Sequence, residues 1–285
     1  MVAPHVSADG AHHQVWLGTA GWSYLPDWVG PFYPVGTSAS DALPRYVEAF
    51  RFVEVDSTFY AAPAPTTIER WSSLMPTDFR VSFKAPRELV QDTSLRPPDV
   101  PFGNFCSTLM DTLGDRVARI VVQMPPGFVR DPHNDVALRA FCQQWAPHVP
   151  LAIELRHNSW MHPAVDDCMR AHDIPRVSND LHDVPGLERH CYDTSNNTAY
   201  IRLIGRHDGM SKDRIQRPQH DARRWWSERI ADLVARGVSH VYVVVNNHYE
   251  GHAPATLRTM GDELRAVGCN VVAFNGHPDG QVSLF

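Results

Sequence analysis

The sequence lacks the features that mark several large classes of protein. Its 285 residues contain no apolar run close to the roughly 20 residues that a bilayer-spanning helix needs, and Met1 to Gln14 lack the basic start and apolar centre of a signal peptide. The five cysteines are scattered without a C-x-x-C pair, which argues against a paired-cysteine zinc or redox site. We therefore expect a cytoplasmic protein whose cysteines are reduced packing residues.

Strong charge and metal signatures are also missing. The formal net charge of -6 provides no global field that would draw the chain onto nucleic acid or anionic lipid, so any contact with a polyanion must be local. The chain contains no H-E-x-x-H motif and no dense His/Asp cluster. A divalent metal is therefore an open alternative that ligand spacing does not support, and the cofactor is unknown.

Short β-branched runs alternate with amphipathic segments along the chain. Strands are predicted at Val15–Gly21, Phe52–Phe59, Arg80–Ala85, Arg119–Met124, Leu151–His157, Pro175–Asp180, Ala199–Gly205 and Val241–Asn247. Helices are predicted after an N-cap at Ser40 and at Pro65–Met75, Phe102–Leu113, Asp135–Trp145, Pro163–Ala171, Asp221–Ala235 and Pro254–Ala266. The connection Leu181–Thr198 shows no helical pattern, so the sixth helix is expected to be reduced or missing.

Eight strand–helix repeats predict an α/β protein of the (β/α)8 TIM-barrel class. An open doubly wound sheet is the alternative. Closure is favoured because no G-x-G-x-x-G follows the first strand, and because polar residues gather at the carboxyl ends of the strands. We expect a single barrel domain over residues 15–275, a flexible leader over residues 1–14 and a tail over residues 276–285.

Polar side chains recur near the ends of the predicted strands. Because side chains alternate along a strand, Glu54 and Asp56 share one face of the second strand, and Glu154 and Arg156 share one face of the fifth. At a barrel mouth they would form one ring with Arg202, in the middle of the seventh strand, and with the polar residues near strand ends. These are Lys84, Gln123, His157, Asp180, Asn246, Asn247 and His248.

Two interpretations of this ring are open. Charges inside a barrel often form an ion-pair network, such as Glu154 with Arg202, that holds the strands and catalyses nothing. Stability alone seldom repays the burial of so many charges, however, and this favours a functional site. Lys84, Arg156 and Arg202 suit a phosphate or carboxylate ligand. The candidates for general acid or base are Glu54, Asp56, Glu154, Asp180 and His157.

Two loops add candidates for binding. The loop after the first strand is rich in glycine and aromatic residues, and its Trp22 and Tyr24 could stack on a base or sugar, or form a hydrophobic lid. The connection over residues 206–219 is either a solvated loop or a local basic patch. Its cationic residues are Arg206, His207, Lys212, Arg214 and Arg217.

Seven ordered blocks of residues carry a resemblance to a known family. They are G-T-A-G-W-S-Y with W-x-G-x-F-Y-P, V-E-V-D-S-T-F-Y, F-K-A-P, Q-M-P-P-G-F, E-L-R-H-x-S-W, Y-I-R-L and V-N-N-H. Over about residues 15 to 260 the chain resembles the DUF72, or YecE-like, family. The resemblance implies a TIM barrel similar to the endonuclease IV and xylose isomerase barrels, without an established reaction. The chain departs from the family pattern at Asp56, where Asn is usual, and at Ile204, where His is usual, which puts retention of activity in doubt.

The last five residues carry a second resemblance. The segment from Gln281 to Phe285, Q-V-S-L-F, resembles the peptide by which bacterial polymerases and repair proteins dock on the DNA sliding clamp. In that interpretation Gln281 anchors by hydrogen bonds, while Leu284 and Phe285 fill an apolar pocket. The alternative is that the tail folds back and covers Phe285 against the barrel.

Three functions follow as hypotheses. The first is a hydrolase of a phosphate-bearing substrate, such as damaged or single-stranded DNA, in a repair context. The second is an accessory protein that a sliding clamp recruits and that binds nucleic acid or a partner without chemistry. The third is a carbohydrate-active enzyme, which requires two mouth carboxylates roughly 5–10 Å apart with no cation between them.

Overall fold

The architecture is a parallel β-barrel surrounded by helices. A computed structural model describes residues 13–96, 99–180, 189–193, 195 and 197–272. Its strands are β1 (Gln14–Ala20), β2 (Phe52–Val55), β3 (Arg80–Lys84), β4 (Val117–Gln123), β5 (Leu151–Glu154), β6 (Ser178–Asp180), β7 (Thr198–Leu203) and β8 (His240–Val245). They pair in the order β5-β4-β3-β2-β1-β8-β7-β6, and a parallel bridge between Ile153 and Arg176 links β5 to the segment before β6. This confirms the predicted (β/α)8 barrel.

The helices lie between the strands in the expected places. They are α1 (Ala42–Ala49), α2 (Pro65–Leu74), α3 (Arg87–Val90), α4 (Asp99–Leu113), α5 (Pro132–Trp145), α6 (Pro163–Ala171), α7 (His220–Ala235), α8 (Asn247–Glu250) and α9 (Ala253–Ala266). The first helix begins after Asp41 rather than Ser40, and the Asp41 carboxylate accepts from Ser38 Oγ at 2.6 Å. Residues 189–193, 195 and 197, which are the described part of the sixth connection, contain no helix.

Six of the eight predicted strands were longer than those observed, and the differences in the second and the fifth affect site residues. The second ends at Val55 and passes into a 3-10 turn at Ser57–Phe59. Thr58 causes this turn, because its Oγ1 donates to the carbonyl of Val55 at 2.9 Å and to that of Lys84 at 2.6 Å. The fifth ends at Glu154 instead of His157. Asp56 and Arg156 therefore project from the ends of strands rather than from within them.

Aromatic side chains fill the barrel interior below its mouth. Trp16, Phe52, Tyr200 and Tyr242 belong to one buried cluster, and the ring of Tyr242 lies 5.0 Å from that of Phe52 and 6.1 Å from those of Trp16 and Tyr200. Gly18 makes room for this layer, since a Cβ at that position would lie 2.4 Å from the carbonyl oxygen of Phe52. The charged residues that follow on the same strands consequently rest on an apolar floor.

A larger apolar core joins the outer face of the barrel to its helices. Among the described residues, no helix has the length and apolar character that a bilayer crossing requires.

Candidate active site

Arg202 is the centre of a buried hydrogen-bonded network at the carboxyl end of the barrel. Its Nη2 donates to Glu54 Oε1 at 2.7 Å, and its Nη1 donates to Gln123 Oε1 at 2.9 Å and to Glu154 Oε2. Tyr200 Oη donates to the second oxygen of Glu54 at 2.9 Å. Both carboxylates are fully buried and Arg202 is 3% exposed. The ion pair between Glu154 and Arg202, which the sequence offered as a structural alternative, is therefore present.

The two arginines beside Glu154 decide its protonation. Burial alone would raise the pKa of this carboxyl, but Arg156 and Arg202 outweigh burial and lower the pKa to about 2. Arg156 Nε donates to Glu154 Oε1, so each carboxylate oxygen accepts from a guanidinium. Glu154 is thus suited to positioning Arg156 and poorly suited to accepting a proton at neutral pH.

Asp56, Lys84 and Arg156 form a half-buried rim above this network. Burial and then Arg202 lower the pKa of Lys84 to about 8, and its Nζ lies 3.7 Å from the centre of the Phe59 ring. Burial and then Glu54 raise the pKa of Asp56, against the opposing influence of Arg202 and Lys84. The two pKa values move toward neutrality from opposite sides, which is the pattern of acid–base sites.

The glycine at the end of the first strand lets the backbone approach Asp56. Gly21 has a φ of 79°, and a Cβ there would lie 3.2 Å from Asp56 Oδ1. Its N–H donates to the carbonyl of Glu54 at 2.8 Å. Tyr24, which donates to the carbonyl of Ala20 at 2.6 Å, has a pKa raised by burial and then by Asp56. The β1 loop therefore packs against the carboxyl that most nearly fits a general base.

The basic connection over residues 206–219 reaches the same region. Lys212 Nζ lies 5.1 Å from the centre of the Tyr24 ring, and the His207 ring lies 4.2 Å from that of His248. Lys84 and Lys212 are the two lysines of the whole sequence, and both lie at the mouth. Because lysine is so scarce, its two positions are a sequence signal for residues at the mouth. Lys212 had been predicted only as one cation of the basic connection.

Asp180 departs from the expected ring. Asn179 pairs in register with Arg202 on the inner face of the sheet, so Asp180 pairs with Leu203 and points outward. Its Oδ2 accepts from Arg189 Nε at 3.2 Å, Trp226 Nε1 at 3.3 Å and Tyr249 Oη at 3.4 Å. The structure thus brings Asn179 to the interior and leaves Asp180 among the helices.

Three of the other expected site residues fix the backbone near the mouth. His157 Nδ1 accepts from the N–H of Ser159 at 3.1 Å, which caps a 3-10 turn. Asn246 Oδ1 accepts from the N–H of His248 at 3.0 Å and caps α8. Asn247 Oδ1 accepts from Trp28 Nε1 at 3.1 Å and from the N–H of Ala253 at 3.0 Å. These contacts join the β1 loop to the end of β8.

The aromatic loop after β1 has one part that is buried and another that lines a cavity. Trp28 is fully buried and fits the expected lid, whereas Trp22 is half-exposed. Trp22 packs edge-on against Trp71 at 5.5 Å between ring centres, and both line a cavity of 460 Å³ together with Arg70. A flat ring could enter this cavity.

Several expectations are not decided by this geometry. Gln281, Leu284 and Phe285 lie outside the described residues. Within the described ranges, no group of three or more His, Cys, Asp or Glu side chains is arranged to hold a metal ion. Ile204 is 6% exposed, so the position where the family usually has His carries a buried aliphatic side chain.

Comparisons with known proteins identify relatives over nearly the whole chain. A family model described as a protein of unknown function, DUF72, matches residues 16–280. UPF0759 protein YunF of Bacillus subtilis is 27% identical over 157 residues, which are 52% of this chain and 53% of that protein. UPF0759 protein YecE of Escherichia coli K12 is 30% identical over 143 residues, which are 50% of this chain and 48% of that protein. The chain spans about half the length of these curated relatives.

Two crystal structures are similar in fold. One DUF72 family protein, from Thermotoga maritima, has a TM-score of 0.74 and 25% identity, covering 89% of this chain and 100% of its own. Another DUF72 family protein, from Enterococcus faecalis, has a TM-score of 0.70 and 19% identity, and the match covers 88% of this chain and 95% of that protein's chain.

Proposed function

This chain belongs to the DUF72 family, whose reaction its description leaves open, and we propose that it is a hydrolase of a phosphate-bearing substrate, with nucleic acid as the favoured class. The observation that carries the proposal is the rim of Asp56, Lys84 and Arg156. It places one carboxyl of raised pKa beside one ammonium of lowered pKa and one guanidinium, above a layer of charges that compensate each other.

Each rim residue has a role that follows from its surroundings. Arg156, held by Glu154 and partly exposed, offers its guanidinium to phosphoryl oxygens. Lys84 supplies a second positive charge, and its pKa of about 8 also lets it carry a proton near neutral pH. Asp56 takes the proton from the attacking water, in place of Glu154 and Asp180, both of whose carboxylates are buried and hydrogen-bonded to arginine.

The groove beside Trp22 and Trp71 favours nucleic acid within the phosphate class. An aromatic face can stack on any base, so it binds without demanding a particular sequence. Lys212, above Tyr24, extends the positive charge from the rim toward the β1 loop. The net charge of -6 provides no global attraction for a polyanion, so contact depends on such a local patch.

A carbohydrate-active enzyme is the less favoured alternative. That chemistry requires two facing carboxylates with space for the sugar or water between them. Arg202 stands between Glu54 and Glu154 and forms ion pairs with both, so this pair does not meet the condition.

Cleavage assays on matched variants test the hydrolase. The full chain is incubated with single-stranded, duplex, abasic and ultraviolet-irradiated oligonucleotides and with phosphomonoesters, in the presence of Mg²⁺, Mn²⁺ or Zn²⁺. Asp56→Asn should lower kcat by about 100-fold or more, the usual contribution of a general base, with little change in binding. Asp262→Asn is the control, because Asp262 is 80% exposed and pairs with Arg265 on the outer helix α9.

The role of Glu154 gives a second, independent readout. Glu154→Gln removes the charge that holds Arg156, so KM should rise more than kcat falls, and it should not abolish turnover. An untouched substrate panel would contradict the hydrolase, whereas full activity in Asp56→Asn would contradict the role of Asp56 as the general base.

The accessory-protein hypothesis rests on the last five residues and has its own test. Deleting residues 281–285 should abolish pull-down by a purified bacterial sliding clamp, because Gln281, Leu284 and Phe285 are the anchors in that interpretation. The melting temperature of the barrel serves as the control and should not change. Undiminished pull-down would exclude clamp docking through this tail.

A further inference from the structure

A second group of charges lies at the opposite, amino end of the barrel. Arg80 begins β3, His240 begins β8 and Arg119 is the third residue of β4. The Arg80 guanidinium lies 5.2 Å from the centre of the Trp16 ring, while the His240 and Tyr242 rings stack at 6.4 Å. Because Trp16 and Tyr242 also stack on each other, these side chains meet around one aromatic pair.

Three nitrogens in this group are buried without a hydrogen-bond partner in the described part of the protein. They are Trp16 Nε1, Arg119 Nε and His240 Nδ1. The other nitrogens of Arg119 are occupied, since Nη1 donates to the carbonyl of Ala118 at 2.7 Å and Nη2 donates to Thr198 Oγ1. A buried donor without an acceptor costs about 1–3 kcal/mol, so the unpaired N–H groups of Trp16 and Arg119 together indicate an acceptor that is supplied from solution.

The positive charge of this amino-end group also indicates that an anionic partner is missing. Neither Arg80 nor Arg119 forms an ion pair with any acid in the described ranges. Asp173 acts on Arg119 electrostatically, but its Oδ1 accepts from Ser195 Oγ at 2.8 Å. Burial, and then the positive charges of Arg119 and Arg80, lower the pKa of His240.

We propose that the amino end of the barrel binds a small oxyanion of the phosphate class through Arg80, Arg119 and Trp16. An oxyanion supplies several acceptors and negative charge at once, which is what two guanidiniums and an indole N–H lack here. The site lies on the side of the aromatic layer away from Asp56 and Arg156. Its occupation is therefore independent of the hydrolase proposal.

The direct test follows the unpartnered N–H groups by NMR. Inorganic phosphate is titrated into the ¹⁵N-labelled full chain, with chloride at matched ionic strength as the reference. The Trp16 Nε1–H and Arg119 Nε–H signals, assigned with Trp16→Phe and Arg119→Lys, should shift and saturate with phosphate and stay in place with chloride. Signals that respond equally to both anions, or to neither, would overturn the proposal.

Variants show whether the phosphate-induced change in the NMR signals arises from binding at this site. Arg80→Gln should weaken phosphate binding, read from the Trp16 signal, by about 10-fold, corresponding to a lost charge-assisted hydrogen bond of about 1.4 kcal/mol. Arg45→Gln is the matched control, because Arg45 is 49% exposed and pairs with Glu48 on α1. Arg156→Gln should leave these signals unchanged, which separates this site from the mouth. Arg80→Gln with wild-type affinity would count against the assignment even if Arg119→Lys failed to fold.

The same titration distinguishes two sources of the phosphate group. Glycerol 3-phosphate and inorganic phosphate present the same dianion, with and without an organic substituent. Equal affinities would assign the site to free phosphate, and tighter binding of the ester would assign it to a phosphorylated metabolite.

Discussion

The two ends of the barrel interior bury charge in opposite ways. At the carboxyl end, Arg202 stands between Glu54 and Glu154, and Arg202 and Arg156 together balance the two carboxylates. At the amino end, Arg80 and Arg119 face the barrel interior without an ion pair in the described part of the chain. A layer whose charges are balanced within the protein can serve as a rigid support for the site. A layer whose charges are not balanced needs a partner from solution.

Removing Arg202 should have the largest effect. Arg202→Met leaves Glu54 and Glu154 buried without their shared cation, so the free energy of unfolding should fall by about 3–5 kcal/mol. Protonation removes the charge of a carboxyl that has lost its cation, so part of the lost stability should be recovered as the pH falls. Urea unfolding at several pH values measures both effects.

A triple variant provides the control for this result. Glu54→Gln with Glu154→Gln and Arg202→Met removes all three buried charges and should recover much of the loss, because only the partly exposed Arg156 is left without its partner. A loss below about 1 kcal/mol in Arg202→Met alone would show that the carboxyl end does not depend on compensation.

Tyr200→Phe should have an intermediate effect. It removes the hydroxyl that donates to Glu54 at 2.9 Å, which should cost about 1–2 kcal/mol in unfolding free energy. Tyr192→Phe is the control, since the Tyr192 hydroxyl is buried without a hydrogen-bond partner among the described residues. Equal costs for the two variants would mean that the hydrogen bond to Glu54 adds nothing.

The sequence was sufficient to predict the barrel fold, but not the position of every residue at its mouth. Alternation of β-branched runs with amphipathic segments is a local pattern repeated eight times, and closure followed from the polar strand ends. The strand pattern also brought Glu54, Glu154 and Arg202 together correctly, because each lies within an observed strand with its side chain on the inner face.

The positions that the sequence misplaced depend on where strands end and how they pair. Asp56 leaves β2 because Thr58 bonds to the carbonyl of Lys84 on the next strand, a contact between residues 26 apart. Asp180 points outward because Asn179, and not Asp180, pairs with Arg202. A one-residue difference in register reverses a side chain, and single-sequence patterns do not fix register.

The lowered pKa of Lys84 predicts a smaller effect on the free energy of unfolding, which depends on pH. Its folded pKa of about 8 lies below the ordinary 10.5, so the unfolded chain binds more protons between these values and stability should rise with pH across that window. Lys84→Met should lack this rise, which we expect to be on the order of 1 kcal/mol after solvent screening. Lys212→Met, the change at the other lysine, should keep it. Parallel stability curves for wild type and Lys84→Met would contradict a lowered pKa.

The smallest expected effect is at the amino end. In dilute chloride, Arg80→Gln relieves repulsion from Arg119 and should stabilise the fold by about 0.5 kcal/mol or less, a gain that added sodium chloride screens away. In phosphate the sign should reverse, because the wild type then gains binding free energy that the variant loses. Thermal unfolding in the two salts at equal ionic strength makes the comparison, with Arg45→Gln as the reference. A variant that is less stable than wild type in both salts would mean that Arg80 is already compensated within the protein, and the contrast between the two ends of the barrel would disappear.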